Sequence, residues 1–401
     1  MSAHPFDLLT VEQLRRSGSL KWSEYRGTLG AWVAEMDFGT APGVIVAAQE
    51  TLANGLIGYA PTQLVNDMQQ ATAAWLDNRF EWKLEPGQVR PLNSVAVALD
   101  AAIMHFSPQH HPDAPVVLLT PAYMPFLAAA SRFGRGTIQV AMLPTETGWD
   151  IDWPALKHAL AGGSLLVLVN PHNPIGKVYS REELLAISEL VEATGSRVFV
   201  DEIHSPLVFD GASHIPYATV SHAAAAHSIT AVAATKAFNL PGLKCAQLVL
   251  TNDADRRLWA GVGDTFEHGA ANVGLAATTA AYRTGTGWLD GVIAYLDESR
   301  MLLADLITEH LPHVRYRPPH GTYLAWLDVS RLSLDPSPAR FFLKEAQVAL
   351  INGSDCGAGA QGFVRLNFAT PRPVLGGMIH RMGAAVDGCD NKDMTDPEFA
   401  Q

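Results

Sequence analysis

The chain is predicted to fold as an α/β protein, with a mostly parallel sheet in a large lobe and a smaller α+β lobe after it. Three observations carry this. Four short apolar runs, at 116–119, 165–169, 198–200 and 229–234, are continuous and rich in β-branched or aliphatic residues, as strands covered on both faces are. The segments between them carry helix patterns, so strand and helix alternate as a parallel sheet requires. The last hundred residues break that alternation. They read as a long helix over about 289–309, a break at Pro318-Pro319, a strand over 323–327, a helix near 338–349 and a strand over 363–366.

The elements follow in order. Thr10 and Gln13 make a capping-box pattern ahead of Leu14, so a short helix opens the chain. The loop 32–38, Trp-Val-Ala-Glu-Met-Asp-Phe, precedes a helix over about 42–53, and another helix spans about 94–106. Between the second and third apolar runs, Ser180 and Glu183 form a capping box and Gly195 follows the last turn, which bounds one helix at both ends. Alanines 223–226 are helix composition. Gly357, Gly359 and Gly362 spell a literal GxGxxG. A dinucleotide-binding turn follows a strand and opens a helix, whereas this one precedes a strand, so it reads as a loop. The polar tail after Asp387 is expected to be disordered. The expected division is an N-terminal segment 1–45 joining the small domain, a large domain 46–288 and a small domain 289–401.

Composition bounds the function. With 48% apolar and 17% charged residues, the 401-residue chain can bury a large core and does not read as disordered. A net charge of −12 argues against nucleic acid or an anionic membrane as the main partner, while leaving room for a local pocket for a small anion. Cys245, Cys356 and Cys389 are dispersed and form no CxxC pair, so neither a disulfide framework nor a zinc site fits, and a reducing cytoplasm does. Residues 1–16 show no signal-peptide pattern, and the richest apolar stretch, 116–130, is interrupted by Pro121 and Pro125. His110-His111 beside Pro112 has no further ligand at metal spacing; no metal is expected.

The residues just past each predicted strand carry the chemistry, because ligands of open α/β sheets collect at the carboxyl ends of the strands. The first strand leads into Thr120-Pro121-Ala122-Tyr123, the second into Asn170-Pro171-His172-Asn173-Pro174, the third into Asp201-Glu202, and the fourth into Thr235-Lys236. One rim thus receives an aromatic, an amide, a carboxylate and an amine. Pyridoxal 5′-phosphate (PLP) asks for this set. A lysine holds it covalently and moves the α-proton, a carboxylate keeps the ring nitrogen protonated, an amide bonds the phenolic oxygen and an aromatic covers the ring face. Its phosphate asks for a helix N-terminus, which Ser94, Val95 and Ala96 supply. Taken singly, each residue has a plainer reading. Lys236 could be a solvated lysine, Asp201 a cap, Tyr123 core packing, Asn173 a turn residue between two prolines and Arg365 an ordinary ion-pair partner.

Together these residues resemble the aspartate-aminotransferase superfamily, fold type I of the PLP enzymes, over nearly the whole chain from Trp32 to about Ala385. The motifs are Asn-Pro-His-Asn-Pro-Ile-Gly at 170–176, Asp-Glu-Ile-His at 201–204, Thr-Lys-Ala-Phe-Asn-Leu-Pro-Gly-Leu at 235–243 and Val-Arg-Leu-Asn at 364–367. The 32–38 loop, Asp-Glu-Ile-His and Gly-Thr-Tyr-Leu-Ala-Trp at 321–326 are similar to those of the aminotransferase-like cystathionine β-lyases, or C–S lyases. The resemblance implies a large domain with a mostly parallel, seven-stranded-type sheet. It implies that Lys236 holds PLP, Asp201 pairs with the ring nitrogen, Asn173 bonds the phenolic oxygen and Tyr123 stacks on the ring. It further implies that Arg365 clamps the substrate carboxylate, and that the amides of Val95 and Ala96, the Thr235 hydroxyl and Lys244 hold the phosphate. Tyr59 would reach the phosphate of a neighbouring subunit, which implies a homodimer with sites at the interface. Five positions depart from the pattern. Ser94 stands where glycine is usual, Ala233 where a hydroxyl residue is frequent and Lys244 where transaminases carry arginine. Glu35 replaces an aspartate, and Pro206 stands where an aspartate is usual.

Three functions are compatible with these residues. The first is PLP-dependent β-elimination on L-cystathionine or a related cysteine S-conjugate, giving a thiol, pyruvate and ammonia, as in methionine biosynthesis. The second is a class I/II aminotransferase. The third, a PLP-binding regulatory protein without turnover, is disfavoured because every residue the chemistry needs is present and no helix-turn-helix or basic patch is appended.

Overall fold

The structure, a computed structural model, describes residues 4–108, 111, 113–334 and 337–393. Its centre is a seven-stranded sheet of β1 (Val89–Leu92), β2 (Val116–Thr120), β3 (Thr137–Ala141), β4 (Leu165–Val169), β5 (Arg197–Asp201), β6 (Ser228–Val232) and β7 (Ala246–Val249). The spatial order is β1-β7-β6-β5-β4-β2-β3. Strands β3, β2, β4, β5 and β6 run parallel, and β7 lies antiparallel to both β6 and β1. β2 and β4 are buried along their whole length, which is why they show continuous apolar runs and no alternation. The edge strand β3 is half exposed and more polar.

The helices between strands form where their caps and apolar faces dictate. Arg181–Thr194 starts on the reciprocal Ser180–Glu183 capping box and stops at Gly195, whose φ of 65° closes the helix in the left-handed region. Val95–His105 is capped by Ser94 and packs Val95, Leu99 and Ile103 in one cluster with Phe199 of β5. The alanine run lies in helix His222–His227.

The second sheet has four antiparallel strands: β8 (Arg315–Tyr316), β9 (Leu324–Asp328), β10 (Ile351–Asn352) and β11 (Phe363–Asn367), in the order β8-β9-β11-β10. Helices Thr286–His310 and Arg372–Asp393 cover it, and Leu303, Leu375, Ile379 and Met382 fill one cluster with Leu324 and Leu366. Gly357, Gly359 and Gly362 lie in the loop before β11, all with positive φ.

Three expectations change. The strand expected over 229–234 ends at Val232, because Ala234 already opens the one-turn helix Ala234–Ala237 that carries Lys236. The helix expected near 338–349 ends at Ala346. Gln347 turns at φ 54°, and Val348–Ala349 pair in parallel with Leu29–Gly30. That partner lies more than 300 residues away, beyond the reach of local periodicity. The tail expected to be disordered after Asp387 continues as helix to Asp393, because Leu375, Ile379, Met382 and Val386 keep an apolar face on the core. His110, Pro112 and the residues after 393 lie outside the described residues, as does the side chain of Cys389. Cys245 and Cys356 are free and buried, and burial pushes each thiol up to about 11. Among the described residues no helix is long and apolar enough to cross a membrane.

The two sheets meet at a turn that requires glycine. Gly176 has φ 66°, its carbonyl accepts the N–H groups of His320 and Gly321, and a Cβ there would stand 2.1 Å from Pro319 Cβ. Gly176→Ala is expected to lose about 2 kcal/mol or more of stability, from the disfavoured φ and the forced separation of the turn from 319–321. Urea unfolding reads this directly. An unchanged midpoint would mean that the turn is not seated on the second sheet's entry loop.

Candidate active site

The parallel strands deliver their last residues to one rim. Asp201 ends β5 in register with Val169 and Ala231. Strand alternation places it on the face of Phe199, the side covered by helix Val95–His105. Tyr123 follows β2 by three residues and caps the short helix Met124–Leu127. Asn173 lies in the buried turn after β4, and Lys236 in the helical turn after β6. Arg365 comes from the centre of β11 in the second sheet, so the rim faces the smaller lobe.

The 32–38 loop threads between these groups and bonds them through its backbone. Lys236 Nζ donates to Ala34 O at 2.8 Å, and the buried Tyr323 hydroxyl donates to the same oxygen at 3.0 Å. Arg365 Nη2 donates to Trp32 O at 2.8 Å, and its Nη1 to Asn173 Oδ1 at 3.3 Å. Asn367 Nδ2 spans Val33 O at 2.7 Å and Glu35 O at 2.6 Å. Asn239, at φ 58°, exchanges two side-chain bonds of 2.9 Å with the Met36 backbone. Alternate carbonyls of one loop, Ala34 O and Trp32 O, therefore hold an amine from the large lobe and a guanidinium from the small one.

Electrostatics set the groups apart from surface residues. Burial, reinforced by the Arg365 guanidinium, holds the Lys236 amine down to about 8, against the opposing pull of Glu35 and Asp201. Burial pushes the Asp201 carboxyl up to about 7, although the Ile203 N–H donates to it at 3.0 Å and Lys236 favours its charged form. Glu202 adds to the rise. Burial, with Lys236 and Arg365 adding, holds His204 down to about 3, so its imidazole is neutral. The His204 ring meets Tyr323 edge-on at 5.7 Å, and its Nδ1 has no hydrogen-bond partner. Burial also raises Tyr123, with Arg365 opposing and Asp201 adding.

Lys236, Asp201, Asn173, Tyr123 and Arg365 thus share one electrostatic neighbourhood. The remaining residues take no part in the bonds described above. Val95 and Ala96 open their helix ahead of its first internal bond, from Ala98 N–H to Ser94 O. Thr235 is buried beside Lys236 in sequence. Lys244 is exposed at φ 52°, with its carbonyl accepting the Ala271 N–H. Asn272 Nδ2 donates to Leu56 O and Gly58 O, which fixes the turn before Tyr59, and Tyr59 itself is 94% exposed. Among the described residues its ring meets only the edge of His268, at 6.4 Å between ring centres.

The sequence model of the family described as aminotransferase class I and II matches residues 33–375. The chain belongs to this family. Two curated relatives align with this class I and II aminotransferase-family chain over almost its full length. It is 33% identical to the cystathionine beta-lyase PatB of Bacillus subtilis over 92% of this chain and 96% of that one. It is 32% identical to the cystathionine beta-lyase of Corynebacterium glutamicum over 94% and 99%. Among solved structures, the PLP-bound C–S lyase of Staphylococcus hominis superposes with a TM-score of 0.87 at 27% identity, covering 96% of this chain and 99% of that one. The sheet order and the second sheet are thus those of the PLP-dependent fold type I.

The described residues fit PLP. Arg365 Nε, His204 Nδ1 and Trp32 Nε1 are buried polar atoms with no partner among the described residues, and they cluster about Lys236 and Arg365. Asp201 is a buried carboxyl whose charged form is penalised by burial, a cost that an N–H⁺ partner would offset. Sequence reading passed over His204, Tyr323, Asn239, Asn367, Lys21 and Asp37. Five of these six lie inside the quoted motifs, Lys21 alone outside them, and polar side chains within buried motifs were the available signal.

Asp201 carries a cost in the cofactor-free protein. Its folded value of about 7 lies above the ordinary 3.8, so it favours the fold at low pH and that contribution is lost as pH rises through about 7. Cofactor-free Asp201→Asn is therefore expected to melt at least ~2 °C above the parent at about pH 8, with the difference vanishing near pH 4. Thermal melts across that range check it. A parent that melts higher throughout would mean that the carboxylate is already paired.

Proposed function

We propose that this chain is a PLP-dependent β-lyase that cleaves the C–S bond of L-cystathionine or related cysteine S-conjugates. The products are a thiol (homocysteine from cystathionine), pyruvate and ammonia. The observation that carries the reading is the placement of the Lys236 amine on Ala34 O and the Arg365 guanidinium on Trp32 O, two carbonyls of one loop separated by a single residue, beside the buried Asp201 carboxyl. The relatives named for cystathionine cleavage support it.

PLP, when bound, supplies an electron sink conjugated to the substrate α-carbon. Lys236 would hold it covalently, Asp201 would keep its ring nitrogen protonated, Asn173 would donate to its phenolic oxygen and Tyr123 would cover the ring. The helix N-terminus at Val95 and Ala96, the Thr235 hydroxyl and Lys244 would hold the phosphate. Arg365 would grip the substrate α-carboxylate as a fork, and in a low-dielectric cleft that contact is strong. The Lys236 amine, kept near neutrality by burial and Arg365, takes the α-proton. The Cβ–S bond then breaks, and its electron pair leaves with sulfur. Water releases the amino nitrogen as ammonia, leaving pyruvate.

The unit that does this is a homodimer in our reading, with active sites at the interface. Tyr59 is 94% exposed and Ile57 79%, while Ile45, Val46 and Leu52 expose apolar surface on the helix Pro42–Ala53. Tyr59 would reach the partner's phosphate. The expected domain division, 1–45, 46–288 and 289–401, places the cleft between the second and third units.

Pyruvate release by the PLP-loaded protein from L-cystathionine, with no keto acid added, tests the reading. Steady release supports β-elimination. Dependence on an added keto acid would assign the chain to the aminotransferases of its family instead.

A further inference from the structure

The large lobe contributes the Lys236 amine to the cleft and the small lobe the Arg365 guanidinium, and the 32–37 backbone links the two. What holds that backbone is a second, fully buried charge system. Lys21 and Asp37 form an ion pair at 2.9 Å, with side chains 0% and 3% exposed. Lys21 Nζ has three N–H donors, and all are used: on Asp37 Oδ2, on Ala369 O at 3.2 Å and on Glu35 O at 3.4 Å. Asp37 Oδ1 accepts the Trp22 indole N–H at 2.8 Å, and the Asp37 N–H donates to Ala369 O at 3.1 Å. The pair joins three pieces of chain: the helix Leu20–Ser23, the loop, and the segment just past β11 that carries Arg365.

A buried ion pair is a poor device for stability alone. Desolvating two charges costs several kcal/mol, and well-packed apolar residues often serve as well or better. Such a pair does fix geometry, since every partner must be in place for the charges to be tolerated. The geometry fixed here is that of the loop. Slipping the loop by one residue would move each carbonyl by about 3.3 Å and strand both Lys236 and Arg365. Lys21 and Asp37 themselves bond neither group.

Resting on the lyase reading, we propose that the Lys21–Asp37 ion pair is a positioning device for the reaction. By locking the 32–37 loop it holds the Trp32 and Ala34 carbonyls, and through them Arg365 and Lys236, at the separation that one amino-acid substrate spans.

The test is the double variant Lys21→Met/Asp37→Leu, which avoids the orphaned buried charge that either single change leaves. It is expected to fold and melt close to the parent. Its kcat/KM for L-cystathionine should fall roughly tenfold to a hundredfold, through both KM and kcat, since both ends of the substrate lose their register. In the cofactor-free protein, acetylation of Lys236, followed by peptide mass spectrometry across pH, gives the midpoint of the amine. The charged and titratable groups facing it, Arg365, Asp201, Glu35 and His204, are unchanged in the variant. A loosened loop admits water, so the midpoint should rise from about 8. A variant with parental kcat, KM and acetylation midpoint would overturn the proposal, whatever its melting temperature. Should the double variant not fold, Trp22→Phe removes only the indole donor to Asp37 and should shift the same readouts in the same direction by less; no shift overturns the proposal. The acetylation arm needs neither cofactor nor substrate, so a parent that releases no pyruvate would sink the lyase reading and leave this test standing.

Discussion

Lys236→Ala protein, loaded with PLP, is expected to release pyruvate from L-cystathionine at least about 10³-fold more slowly than the parent. The change removes the covalent anchor and the base together, and a positioned base alone contributes roughly 10²–10⁴-fold. The fold should survive, because among the described residues the side chain's hydrogen bond is to Ala34 O, and that oxygen keeps the Tyr323 hydroxyl. The cofactor should then be removable by dialysis alone, whereas the covalently held cofactor of the parent should withstand it. Full activity in the alanine protein would eliminate Lys236 as the base and, with it, the proposed chemistry.

Arg365→Leu is expected to raise KM by roughly two to three orders of magnitude, the scale of truncating one partner of a buried, hydrogen-bonded charge pair (about 2–5 kcal/mol). A second effect has a definite sign. The Arg365 charge helps hold the Lys236 amine down to about 8. Without it the amine should gain a proton at higher pH than in the parent, and the acetylation midpoint should move up. Steady-state kinetics and the acetylation profile read the two effects separately. A large rise in KM with an unmoved midpoint would place the guanidinium farther from the lysine than the shared loop implies.

Much of this arrangement was legible in the sequence because buried parallel strands announce themselves. Continuous apolar runs locate β2, β4, β5 and β6, and the polar residues that interrupt each run fall at its carboxyl end. Asp201 and Lys236 were visible for that reason, and Arg365 through the resemblance of Val-Arg-Leu-Asn at 364–367 to the family's motif. The loop 32–38 was visible as a motif, but its role was not, because its backbone carbonyls do the bonding and these are the same in every sequence. Lys21 was silent because a lysine near a chain's start reads as solvated, and only the return of Ala369 to the same spot buries it. The pairing of Leu29–Gly30 with Val348–Ala349 was hidden for the same reason. Phosphate grip is the least legible part, since Ser94, Ala233 and Lys244 depart from the family pattern and Tyr59 needs a second chain.

The state of Cys245 and Cys356 matters for a protein whose proposed product is itself a free thiol. Thiol–disulfide exchange begins with a thiolate, and burial holds these two groups up to about 11, so at neutral pH both stay in the thiol form. Both sulfurs are also buried. Mixed disulfides with the released thiol therefore have no foothold at either position, and product can accumulate in an oxidising vessel without tagging the enzyme there.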